Sequence, residues 1–112
     1  MELKATNDLF TGSTTDALNM FKRAFQLDSN SLYSAYCLAD LYRIKEHYDS
    51  ALIFIDRAIE IKENIKHSID FNNDFTVDLD VKKSELYFLR GMIRYELKQF
   101  QIAKNDFRRV YD

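Results

Sequence analysis

A chain of 112 residues has the length of one small domain, and with 46% hydrophobic and 30% charged residues it has material for both a core and a solvated surface. A net charge of −2 gives no global field to gather nucleic acid or an anionic membrane, so neither is expected as a partner. The single cysteine, Cys37, excludes an intrachain disulfide and any multi-cysteine metal site. No segment approaches the ~20 consecutive apolar residues of a spanning helix.

The absence of proline and the presence of two glycines leave little in the chain that forbids helix. Seven tyrosines and nine phenylalanines, with no tryptophan, suggest packing dominated by aromatic rings. The opening, Met1 to Asp8, has no apolar run after a basic stretch, so no signal peptide is expected and a cytoplasmic location fits.

In chain order the apolar spacing predicts helices over 1–10, 15–28, 31–44, 48–69, 81–97 and 100–111. Gly12-Ser13-Thr14 is the expected first turn, with Thr14, Thr15 or Asp16 capping the helix after it. Asp28-Ser29-Asn30-Ser31 is placed to end one helix and cap the next. Leu32, Ala35, Leu38, Ala39, Leu41 and Tyr42 then follow the i, i+3, i+4, i+7 pattern. Lys45-Glu46-His47 is the next turn. Leu86, Tyr87, Leu89, Gly91, Ile93 and Leu97 repeat the helical spacing, and Lys98-Gln99 breaks it before the last helix.

These segments recur. Ala17 and Ala51 are 34 residues apart, as are Ala24 and Ala58, and Ala51 and Ala103 are 52 apart. The longer interval points to an insertion at about 64–81. Its start, Asn64 to Ile69, continues the preceding helix, and Asp70 to Asp80 reads as an acidic loop. Asp70, Asn72, Asp74, Thr76 and Asp78 alternate as oxygen ligands would in a calcium loop. Phe75 and Val81 stand where that loop needs its turn glycine and bidentate glutamate, which argues against metal.

A 34-residue helix–turn–helix period, with Leu38-Ala39-x-x-Tyr42 followed by Tyr48, Ala51, Ile55 and Ala58, resembles the tetratricopeptide repeat family. The last copy fits through Tyr87, Arg90-Gly91, Phe100, Ala103 and Phe107, and the first through Ala17, Phe21 and Ala24, with Ala5 as the small residue of an incomplete helix. Ser29 and Glu63 depart from the family at its usual proline, and Arg94 at its tyrosine. The resemblance implies an all-α solenoid of antiparallel helix pairs, with repeats at about 1–30, 31–64 and 82–112, standing alone or cut from a longer array.

It further implies a protein-binding scaffold or adaptor whose first helices line a groove. By that geometry the groove residues are Tyr33, Tyr36, Asp40 and Arg43, then Phe88, Met92, Tyr95 and Glu96, none of them serving the pair's own core. Family members that clamp the acidic carboxyl tails of chaperones use lysine, asparagine and arginine. The matching places here hold Glu2, Thr6, Cys37, Glu85 and Leu89, so such tails are not expected as ligands. The alternative role is a structural segment of a longer solenoid, used for spacing or self-assembly. Leu3, Leu9, Phe10, Ile102 and Tyr111 would then support weak self-association through uncovered ends.

Catalysis is not expected. His47 and His67 stand apart from any nucleophile motif, neither glycine lies in a phosphate loop, and Cys37 reads as a small filler. No cofactor is implied.

Overall fold

The computed structural model describes the backbone of residues 2–67 and 81–111, and side chains from 13 to 64 and from 81 to 111. Five helices follow in order: α1 (Glu2–Leu27), α2 (Leu32–Ile44), α3 (Tyr48–His67), α4 (Lys83–Glu96) and α5 (Phe100–Arg109). Each packs on the next, and α2 also meets α4. The all-α, helix-pair architecture expected from the sequence is what forms.

One expected turn is absent. The backbone is helical through Gly12-Ser13-Thr14, so two predicted helices are the single α1, and Thr14, Thr15 and Asp16 are interior helix residues rather than caps. A lone glycine costs only about 1 kcal/mol against alanine in a helix interior. Without a proline or a left-handed residue, nothing forces the chain to turn there.

The other boundaries follow their local chemistry. Ser31 caps α2, its hydroxyl accepting the Ser34 amide at 3.2 Å, while the Asp28 carboxylate accepts the Asn30 amide at 3.0 Å. The Glu85 side chain accepts the Lys82 amide at 2.8 Å and so closes the first turn of α4. The α2–α3 and α4–α5 turns are built alike. Glu46 and Lys98 each adopt φ 64°, and His47 and Gln99 reach back to the carbonyls of Tyr42 and Arg94 at 2.8 Å. This paired six-to-one and five-to-two bonding is a Schellman cap.

The core runs through Leu32, Ala35, Leu38 and Ala39 of α2, Ala51, Ile55 and Ala58 of α3, and Leu86, Leu89 and Ile93 of α4. Burying each of the larger side chains stabilises the fold by about 1.5–3 kcal/mol. The expectation that rings dominate the packing is corrected here: Tyr87 is the one aromatic among the buried core residues described, and the fully buried large side chains are mainly Leu and Ile. Other described rings, such as Phe25, Tyr42 and Phe54, sit half-buried at the core's edge, and Tyr33, Phe88, Tyr95, Phe100 and Tyr111 are exposed. Small helix-to-helix spacings accept branched aliphatics more readily than rings.

Helix α3 extends to His67, as the apolar spacing predicts. The acidic segment Asp70 to Asp80, with its alternating oxygen residues, lies outside the described residues, as do Ser68 and Ile69. Val81, immediately after it, is 4% exposed and packed in the core cluster, which anchors the start of the last pair.

Candidate functional site

Helices α2 and α4 adjoin, each running away from its own cap, and they carry the residues that the sequence reading assigned to a groove. On α2, Tyr33 is exposed and sets its ring edge-on to Phe21 of α1 at 5.8 Å. One turn on, Tyr36 is half-buried against the core. Its phenol is held above the usual tyrosine range, first by burial and then by the carboxylates of Glu85 and Asp40. Asp40 and Arg43 form an i, i+3 ion pair, with both Nη2 and Nε of Arg43 donating to Oδ1 at 2.8 and 3.1 Å.

On α4, Tyr95 is exposed and meets Phe100 of α5 edge-on at 5.1 Å. Glu96 is exposed beside Tyr48 of α3, whose phenol is raised, first by burial and then by the Glu96 carboxylate. Phe88 and Met92 depart from the expected pattern. Phe88 is part exposed but tilts against Phe107 of its own pair at 5.8 Å, and Met92, like Tyr36, lies partly buried against the core. The expectation that groove residues take no part in the core therefore fails for Tyr36 and Met92, while Phe88 stays exposed and touches Phe107 of its own pair. A helix face less than a turn wide cannot be free of both neighbours when the residues on it are this long.

Of the clamp positions, Cys37 is half-buried, Glu85 exposed and Leu89 almost wholly buried. The Cys37 thiol is pushed up, first by burial, against a lowering hydrogen bond from Tyr33. The side chains of Glu2 and Thr6 lie outside the described residues. At the turn end of the face a cleft of about 360 Å³ is lined by Glu46, His47, Tyr48, Asp49, Ser50 and Leu97.

Sequence reading missed the polar interior of the last pair. Asp106 is 2% exposed and accepts three charge-assisted bonds: from Arg90 Nε at 3.1 Å, Arg90 Nη2 at 2.9 Å and Arg94 Nη1 at 2.9 Å. Arg90 also reaches Asp56 of α3 at 2.9 Å and lies over the Tyr87 ring, which Arg109 covers as well. Burial opposes the charge on Arg90, but its bonds to Asp106 and Asp56 prevail and hold its pKa up. The signal in the sequence was the replacement of the family's tyrosine by Arg94. Its explanation needed Asp106, a residue that reads as ordinary helix surface.

Among the described residues no group of three or more His, Cys, Asp or Glu is arranged to hold a metal ion, and no helix is long and apolar enough to cross a membrane. No curated protein matches the chain as a relative. Residues 33–65 and 84–112, more than half of the chain, match the model of the tetratricopeptide repeat, and they coincide with the pairs α2–α3 and α4–α5. On that match and this architecture, the chain belongs to the tetratricopeptide repeat family.

Proposed function

We propose that the chain is a non-catalytic interaction module that holds a segment of another protein against the shared face of α2 and α4. Tetratricopeptide repeats generally mediate protein–protein interaction, and the reading here is narrower. The observation that carries it is the exposure of two large rings, Tyr33 of α2 and Tyr95 of α4, at 41% and 56%, with the Asp40–Arg43 ion pair on α2. Large rings left in water on rigid helices are costly to solvate and cheap to immobilise, which is why tyrosine and arginine anchor interfaces. Each ring makes one edge-on contact within the fold and leaves much of its surface in water.

The test is affinity capture from a native lysate, comparing wild type with the Tyr36→Ala/Arg43→Glu variant at matched helicity. Polypeptides retained by wild type and lost from the variant support the reading. An identical retained set from both proteins counts against it.

A second reading has its own observation. Phe88 of α4, Phe107 of α5 and the following Val110 and Tyr111 line an apolar cleft of about 310 Å³, and Ile102 and Tyr111 are 44% and 90% exposed. That surface suits a structural segment stacked on a further helix pair or on a second copy. Sedimentation from micromolar to near-millimolar protein separates the two, since a monomer throughout speaks against self-stacking.

A further inference from the structure

The apolar cleft beside Tyr111 has a counterpart earlier in the chain that a helix covers. Moved back by the 52-residue repeat interval, its lining residues Phe88, Phe107, Val110 and Tyr111 fall on Tyr36, Ile55, Ala58 and Ile59. Ile55, Ala58 and Ile59 are buried in one cluster with Leu86, Leu89 and Ile93 of α4, the helix that packs on α3. Among the described helices α5 packs on α4 alone, and Tyr111 stays exposed. The cleft thus repeats the surface that seats α4, whose apolar side chains are spaced i, i+3 and i+7.

Charge marks the covered seat as well. Asp56 of α3 accepts from Arg90 Nη1 of the seated helix at 2.9 Å, and Arg90 stands at i+4 from Leu86. The residue at the repeat position of Asp56 on α5 is Arg108. It is exposed and makes no side-chain hydrogen bond or ion pair among the described residues. The free carbonyls in the last turn of α5 favour a cation there while it is unpaired. The seat's charge is therefore inverted at this position. A helix with arginine at i+4, as in α4, meets a like charge, and one with an acid meets its partner. A second copy of this chain offers no such acid: at that position its α2 carries Leu38 and its α4 Arg90.

Resting on the stacking reading above, we infer that the cleft seats an amphipathic helix of a partner protein, with apolar side chains at i, i+3 and i+7 and an aspartate or glutamate at i+4 set against Arg108.

Two synthetic peptides copying residues 81–97 serve as probes, one with the native Arg90 and one with Arg90→Glu, at matched helicity. Fluorescence anisotropy measures both at low salt on the wild-type chain, on Arg108→Asp and on Tyr111→Ala. Both substitutions fall at exposed positions, and urea melts check that the fold survives them. The expected result is about a fivefold preference of wild type for the Arg90→Glu peptide, inverted on Arg108→Asp. Tyr111→Ala should weaken the better peptide by about tenfold. Equal binding of the two peptides, or a preference for the native one, with both weakened by Tyr111→Ala, would overturn the charge rule and leave the stacking surface standing. No binding of either up to millimolar concentration, or binding indifferent to Tyr111→Ala, would overturn both. Self-association of the chain alone, abolished by Tyr111→Ala in sedimentation, would make a second copy the occupant and overturn the inference.

Discussion

Where α2 presents Tyr42 to Phe54 of α3, with rings 5.6 Å apart and 10° from parallel, α4 presents Arg94 to Asp106 of α5 at 2.9 Å. The positions are equivalent, each 52 residues on from its counterpart, and so are Leu38 and Arg90. The small residue follows the same logic. Ala39 lies in the repeat position of Gly91, and Ile55 in that of Phe107. A methyl group added at Gly91 would fall 2.6 Å from the Phe107 ring, so the larger ring has required the smaller partner. Two pairs with the same inter-helix turn and the same helix order are thus sealed by an aromatic stack in one case and an ion cluster in the other. The repeat specifies the geometry of approach, and more than one chemistry can fill it.

The largest break in the comparison comes from Asp106→Ala. It strips both guanidinium groups of their shared acceptor inside the protein, and the expected loss is about 3–5 kcal/mol by urea denaturation. A loss under about 1 kcal/mol would mean that water already solvates the cluster. Importing the middle pair's residues tests the same point from the other side. Arg90→Leu, Arg94→Tyr and Asp106→Phe together should leave stability unchanged or raise it by about 1–4 kcal/mol, because apolar packing replaces buried ions well. A marked loss would show that the ion cluster holds the pair in a way the stack cannot.

Gly91→Ala is expected to cost about 1–3 kcal/mol through overpacking against Phe107. Adding Phe107→Ile, which copies the middle pair, should relieve most of that cost, and a double-mutant cycle reads the coupling. The smallest effects concern what the pairs share. Glu46→Gly and Lys98→Gly should each stabilise by about 0.5–1 kcal/mol, equally, because each removes the strain of a left-handed non-glycine residue. Unequal gains in thermal melts would show that the two turns are less alike than their bonding suggests.

The contrast between the pairs also marks how far the sequence could be read. Alanine spacing located α3 and α5, apolar periodicity α2 and α4, and polar breaks the turns at Glu46 and Lys98, because periodicity and breaks are local properties. The Gly12 region misled for the same reason. Its residues favour a turn by type, yet the backbone there is helical, and a lone glycine is too weak a breaker to end it. The depth of Tyr36 and Met92 was not legible, since it depends on how closely neighbouring helices approach. The Arg90–Arg94–Asp106 cluster was hidden because its members are scattered over 16 residues and two helices. Charged residues there carry no apolar period to betray their burial.

The proposed division of labour is that the interior of the two pairs holds the array while the α2–α4 face holds a partner. It is tested most directly by measuring Tyr95→Ala twice, for urea stability and for affinity toward a peptide selected on the wild-type chain. Tyr95 contributes its edge-on contact with Phe100 to the fold, at 5.1 Å, so stability should fall by no more than about 1 kcal/mol. Binding should weaken by about 1–3 kcal/mol, in the range of an interface anchor. Unchanged affinity, or a stability loss that accounts for the whole loss of binding, would contradict the claim.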